Sequence, residues 1–232
     1  MPLRPFLAGS SARLARIAIA LIGIAVLGFA AYESARRGLE DWGSTRWRND
    51  LRMLLQGRAQ PSEEQWRRTV DELREALRLA PRDADLWENL GLAYEAGARN
   101  YVRAGGWNVY TEFALIHYRQ AALLRPTWPY TWIRVALMKY QLNQLDDEFG
   151  RALASAMRLG PWEPGVQLIA SQIGLALWDR FDPPFQEQIR ENWRRTAVRQ
   201  ADQLARLAVT HGRVGVLCEV SLDALRNRLK CP

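Results

Sequence analysis

Few side chains in this sequence are placed for covalent chemistry, and each of them has a plainer use. The two histidines, His117 and His211, have no acid or thiol clustered beside them, which suits structural or solvated roles; His211 at a helix end would also favour the dipole. Asp146, Asp147 and Glu148 form the one tight run of three acids. Between two helical stretches such a run supplies an N-cap and favourable charge at a helix start. A glycosidase would need two carboxyls facing one another across a cleft instead. Cys218 and Cys231 are the two cysteines. An unbroken helix between them would hold them about 20 Å apart, beyond the roughly 7 Å over which Cα atoms can be bridged. A helix that begins after Ser221 lets Cys218 fold back toward Cys231, so a disulfide is open to the pair in an oxidising compartment.

Stacking and hydrogen bonding are better provided for. Between Tyr94 and Ala114 the chain reads EAGARNYVRAGGWNVYTEF, with Gly97, Gly105 and Gly106 expected to interrupt helicity over about 97–110. Tyr101 and Trp107 bring aromatic faces there, and Arg103 and Asn108 bring donors. A long loop on a rigid scaffold suits a partner or a sugar; equally, its rings can fold back as a plug. The turns Trp128-Pro129-Tyr130-Thr131-Trp132 and Pro161-Trp162-Glu163-Pro164 also suit carbohydrate. Each lies where a repeat array packs unit on unit, and packing is the reading adopted for them.

No phosphate loop, dinucleotide fingerprint, nucleophile elbow or metalloprotease pair is present, so the expectation is a non-enzymatic protein with no cofactor and no metal. The formal net charge is +7, yet of 32 basic residues only Lys139 and Lys230 are lysines. That bias reads as composition, not as a phosphate-binding design. Arg190, Arg194, Arg195 and Arg199 share nearby faces of one helix and suit a solvated face; nucleic acid is not expected as a partner.

The elements that must position these residues are helical. Apolar residues after Tyr32 recur at three and four, with no long alternating segment, so the fold class is all-α. Before that, Ile17 to Tyr32 carries no charge and follows Arg4, Arg13 and Arg16. This is a single membrane-targeting segment, read as a transmembrane signal anchor over 17–36, with a cleaved secretory signal as the rival. A short cytoplasmic N-terminus (1–16) precedes it, and a membrane-proximal helix and linker (37–62) follow. Ser62-Glu63-Glu64-Gln65 is a capping box that starts a helix ending before Pro81.

A repeat then emerges. Trp87-x2-Leu90-Gly91-x2-Tyr94, followed by Ala114-x3-Tyr118, Ala121 and Pro126, resembles the tetratricopeptide pattern. Large residues fill the groove of a helix pair, small ones allow close approach, and the proline ends the second helix. Pro81, Pro126 and Pro161 are spaced by 45 and 35 residues against about 34 for the ideal unit. The first interval therefore holds an insertion. Repeats are expected over 63–180 and C-terminal capping helices over 181–232. Their first helices should present one partner-binding face from Asp85, Glu88, Leu92 and Glu95 beside Tyr130, Ile133, Leu137 and Tyr140. Trp87 and Trp132 should occupy equivalent buried sites.

Arg125-Pro126, Trp128-Pro129, Trp132 and the segment Leu159-Gly160-Pro161-Trp162-Glu163-Pro164-Gly165 with Val166 and Gln167, together with the basic-flanked N-terminal span, carry a narrower resemblance. The chain is similar to the VpsP-type family encoded with bacterial exopolysaccharide biosynthesis machinery. That resemblance implies a pathway context and no catalytic residues. It leads to the expectation of a scaffold anchored in the bacterial inner membrane, its soluble domain periplasmic, binding protein partners of polysaccharide assembly or export. The alternative is a glycan-binding module that guides the polymer along an aromatic surface.

Overall fold

The structure, a computed structural model, describes residues 16–34, 62–101, 106–220 and 223–231, the first two of the last stretch by backbone alone. The described residues are helical and include no strand. The chain divides into two units, Met1–Arg52 and Met53–Pro232. In the first, helix α1 (Arg16–Ser34) has 19 residues and a mean hydropathy of 2.0. At 1.5 Å per residue it is about 28 Å long, close to the hydrocarbon thickness of a bilayer. Its length and composition suit a membrane span and equally a signal sequence. The expected membrane-proximal helix within 37–62 lies outside the described residues up to its last position, Ser62.

The second unit is a run of helix hairpins. It comprises α2 (Glu63–Leu79), α3 (Ala84–Asn100), α4 (Trp107–Leu124), α5 (Pro129–Gln141), α6 (Asp147–Leu159), α7 (Pro164–Ala176), a 3₁₀ turn (Trp178–Arg180), α8 (Pro183–Thr210), α9 (Val214–Cys218) and α10 (Asp223–Leu229). The capping box forms as expected: Ser62 N–H donates to Gln65 Oε1 (2.8 Å) and Gln65 N–H to Ser62 Oγ (3.2 Å). From there α2 buries Trp66, Val70, Leu73 and Leu77, one stripe at helical spacing. The tightest pairings are α3 with α4, α5 with α6, and α7 with α8. Gly91 permits the first, since a Cβ there would stand 2.8 Å from the Tyr118 ring.

The inter-repeat turns repeat atom for atom. Trp87 Nε1 donates to the Pro81 carbonyl (2.9 Å), Trp132 Nε1 to that of Pro126 (2.7 Å) and Gln167 Nε2 to that of Pro161 (2.8 Å). Backbone bonds follow the same register, with Asp83, Trp128 and Glu163 each donating to the carbonyl three residues earlier. Trp87 and Trp132 are therefore equivalent, but they are half-buried where full burial was expected. Each indole lies over its own turn, tied to a carbonyl at the edge of the array. The unit after Pro161 has no Trp at this position, and the Gln167 amide makes the same bond.

The insertion is not a long loop. Helix α3 runs through Gly97 to Asn100 and α4 resumes at Trp107, so the extra residues lengthen these helices to 17 and 18 residues against 13 in each of α5, α6 and α7. Gly97 does not break α3; it gives room to the Trp66 ring, which a Cβ would strike. Trp66 donates its indole N–H to the Ala93 carbonyl (2.7 Å), and Tyr101 and Tyr110 pack on it at 5.6 and 5.5 Å between centroids.

Downstream, Pro183 and Pro184 occupy the first turn of α8, capped by Asp182, so they start a helix as well as ending the stretch before it. The α7–α8 contact draws the start of the segment expected as a cap into a third hairpin. A buried polar seam joins it: Asn192 Nδ2 donates to the Gln167 carbonyl (3.1 Å) and Ser171 Oγ (3.0 Å), and Gln200 Nε2 to Gln167 Oε1 (3.2 Å). At Gln200 the backbone leaves helical geometry (φ −134°, ψ 32°), so α8 is one helix with a break. Gly212, at φ +66°, follows its end in the left-handed region that glycine tolerates.

Trp66→Ala should therefore cost about 3–5 kcal/mol of unfolding free energy, the usual loss for a truncated core tryptophan. Trp107→Ala, at an exposed helix start, should cost under about 1 kcal/mol. Urea denaturation followed by far-ultraviolet circular dichroism measures both, and equal losses would place Trp107 in the core.

Candidate functional site

Helices α3 and α5 were expected to present eight residues as one face, and the structure divides them. Asp85 is exposed, and Glu88, Leu92, Tyr130 and Tyr140 are half-buried. Glu95, Ile133 and Leu137 are buried and are withdrawn from the contact surface. Helix α5 is covered because it packs against α4, α6 and α7 at once. Glu95, 1% exposed, turns inward to accept from Tyr118 Oη (2.7 Å) and Arg134 Nη1 (2.8 Å), and it also pairs with Arg99. Its role is to join α3, α4 and α5. Burial, and then the adjacent Glu95 charge, push the Tyr118 hydroxyl well above its ordinary pKa, so it stays a donor.

The acids that remain near the surface are also bridged. Arg125, from the turn after α4, reaches back to Asp85 (2.8 Å) and Glu88 (2.5 Å). Burial pushes the Glu88 carboxyl up, against the pull of Arg125. In the next hairpin the fully buried Lys139 Nζ meets Asp146 Oδ2 (2.9 Å) and Glu148 Oε2 (2.8 Å), while Arg119 from α4 grips Glu148 at 2.7 and 2.5 Å. Asp146 also caps α6 by accepting from Phe149 N–H (3.1 Å), the role expected of the acidic run. Lys139 is the partner that sequence reasoning missed. It stands at the position of Tyr94 in the preceding unit, and a lysine on an otherwise apolar stripe was its one signal.

The insertion residues separate. Tyr101 belongs to the Trp66 cluster; Trp107 and Asn108 are exposed at the start of α4; Arg103 lies outside the described residues. The turn tryptophans depart from the packing role expected for them: Trp128 and Trp162 are 40% and 54% exposed. Arg125 lies over the Trp128 ring at 4.6 Å, and Arg195 approaches that of Trp162 at 5.9 Å. Tyr130, whose ring packs beside that of Trp128, donates its Oη to Glu163 Oε2 (2.7 Å), and burial together with this carboxylate raises the phenol to about 12. Two consecutive turns thus carry an aromatic face with a guanidinium beside it.

The other residues singled out have local partners. His117 Nδ1 lies 2.6 Å from the Phe113 carbonyl, between the rings of Trp87 and Tyr94, and burial lowers its pKa. His211 is the C-cap of α8. Arg190, Arg194 and Arg195 pair with Glu187 and Glu191 one or two turns away, as a solvated face does. Cys218 and Cys231 are joined by a disulfide, their Cα atoms 5.6 Å apart, and α10 lies within the loop that the bond closes. An open cleft of about 780 Å³ lies between the start of α6 and that of α8, where Phe149, Phe181 and Phe185 stack. Its Asp146 and Asp182 are both engaged as helix caps. Among the described residues no group of three or more His, Cys, Asp or Glu side chains is placed to hold a metal.

Arg119 first, and then Lys139, hold the Glu148 carboxyl down to about 2, below its ordinary 4.5. A carboxyl depressed by folding contributes stability that is complete above the unfolded pKa and is lost as pH falls toward the folded one. Glu148→Gln should therefore lower the urea midpoint at neutral pH, and the gap from the natural protein should close between about pH 4.5 and 2. A gap that stays constant over that range would detach Glu148 from this bridge.

No family model matches the chain, and no curated protein matches it.

Proposed function

We propose that this chain is a non-enzymatic helical-repeat scaffold, held at the bacterial inner membrane by α1, that gathers protein partners of exopolysaccharide assembly or export. The observation that carries the reading is the repeated turn bond at Pro81, Pro126 and Pro161. It stacks hairpins in one register, and such arrays act by presenting an extended surface to a partner. Asp85, Leu92, Tyr130 and Tyr140 are the accessible part of that surface. Anchoring would raise the effective concentration of the domain near other membrane-bound components. The exopolysaccharide context rests on the resemblance carried by the Arg125–Gln167 region. The Cys218–Cys231 bond supports a periplasmic domain, because such bonds persist in oxidising compartments.

A glycan-binding reading is favoured by one particular observation, the exposure of Trp128 and Trp162 on successive turns with arginines over or beside them. Sugar rings stack on such faces, and the nearby guanidinium and carboxylate groups offer hydrogen bonds.

Mild crosslinking and co-purification of the full chain, with and without polysaccharide-degrading treatment, tests both. Under the scaffold reading, protein partners survive the treatment, are lost in the Leu92→Asp, Tyr140→Ala double variant and are kept by the Trp128→Ala, Trp162→Ala variant. Retained glycan with no protein partner, abolished by the tryptophan variant, would reverse the order. A reporter fused after Pro232 should be active on the periplasmic side.

A further inference from the structure

The turn register identifies equivalent positions on successive second helices, and one of those helices breaks the pattern. Ile116 and Leu123 on α4 stand where α2 carries Asp71 and Arg78 and where α6 carries Arg151 and Arg158. All six side chains are exposed. The outward faces of α2 and α6 are charged, as solvated helix faces are. On α4, Val109, Phe113, Ile116, Gln120 and Leu123 recur at four, three, four and three residues, and the four apolar members are 40–73% exposed. That is the spacing of a two-helix seam, with the single amide of Gln120 at one core position.

We propose that this face is covered by the same face of a second copy of this chain, α4 against α4, antiparallel about a twofold axis. The flanking charges are self-complementary only in that direction. An antiparallel seam that sets Phe113 beside Ile116 of the second copy also brings Glu112 opposite Arg119 of the second copy, and symmetry makes the pair twice. Glu112 is exposed, and Arg119 remains 40% exposed while it holds Glu148. A parallel seam gives up both pairs. A lipid surface is a poorer fit, because interfacial helices carry Lys and Arg along the polar border of the apolar stripe, and α4 has one arginine and one glutamate there. The seam is confined to one helix of each copy, so the pairing is reversible and depends on concentration.

Sedimentation equilibrium of the full chain in detergent, across a concentration series, should show a shift toward twice the monomer mass. Ile116→Arg, which installs the residue α6 has at this position, should remain monomeric with an unchanged thermal midpoint; Leu123→Arg serves if that variant fails to fold. In membranes, Ile116→Cys treated with a short bismaleimide should give a doubled-mass band, and Arg158→Cys on α6 should not. A natural protein that stays monomeric and gives no doubled band would overturn the proposal. So would self-association that persists in Ile116→Arg, or crosslinking of Ile116→Cys only to a different protein, to lipid or within its own chain.

Discussion

A side-chain N–H donated back six residues to a proline carbonyl sets the pitch of this domain. The proline cannot continue the preceding helix, and its carbonyl faces the turn with no N–H of that helix to donate to it. The indole of Trp87 or Trp132 satisfies it and in doing so fixes where the next helix starts. Gln167 shows that the requirement is for a donor at a certain reach, not for an aromatic ring. The turns that open the three hairpins then share their hydrogen bonds, while the side chains within the hairpins differ.

On that frame the array is tied lengthwise by charge. Arg125 reaches from the end of one hairpin to the first helix of the same hairpin, Arg134 from α5 to Glu95 on α3, and Arg119 from α4 to Glu148 on α6. A surface ion pair contributes little to stability, but a carboxylate as buried as Glu95 cannot lose its partners without an uncompensated charge. Stacked repeats that share only apolar contacts could slide; these links select one offset between neighbours.

The parts legible in the sequence were those governed by local chemistry. Ser62 and Gln65, Asp146 and the turn prolines act within six residues, so the helix starts and the period of the array followed from them. The fate of a side chain set by distant packing was not legible. Glu95 looks like an accessible acid until Arg134 arrives from 39 residues away, and Ile133 until α7 closes over α5. The glycines around Tyr101 suggested a loop because their local cost in a helix is real; the Trp66 ring, which needs the room at Gly97, belongs to a different helix. Trp128 and Trp162 failed in the opposite sense, since nothing nearby reveals that a turn faces water.

The added length of α3 and α4 has a geometrical result. Helix α2 has 17 residues as well, so the early helices are all longer than the 13-residue helices that follow. The domain is built on two storeys where it begins and on one across α5, α6 and α7, with Trp66, Tyr101 and Tyr110 furnishing the upper floor. Helix α5 runs back along α4 but is five residues shorter and stops about 7 Å before the start of its neighbour. The first turn of α4 thus overhangs like a cornice, and Trp107 stands exposed on it.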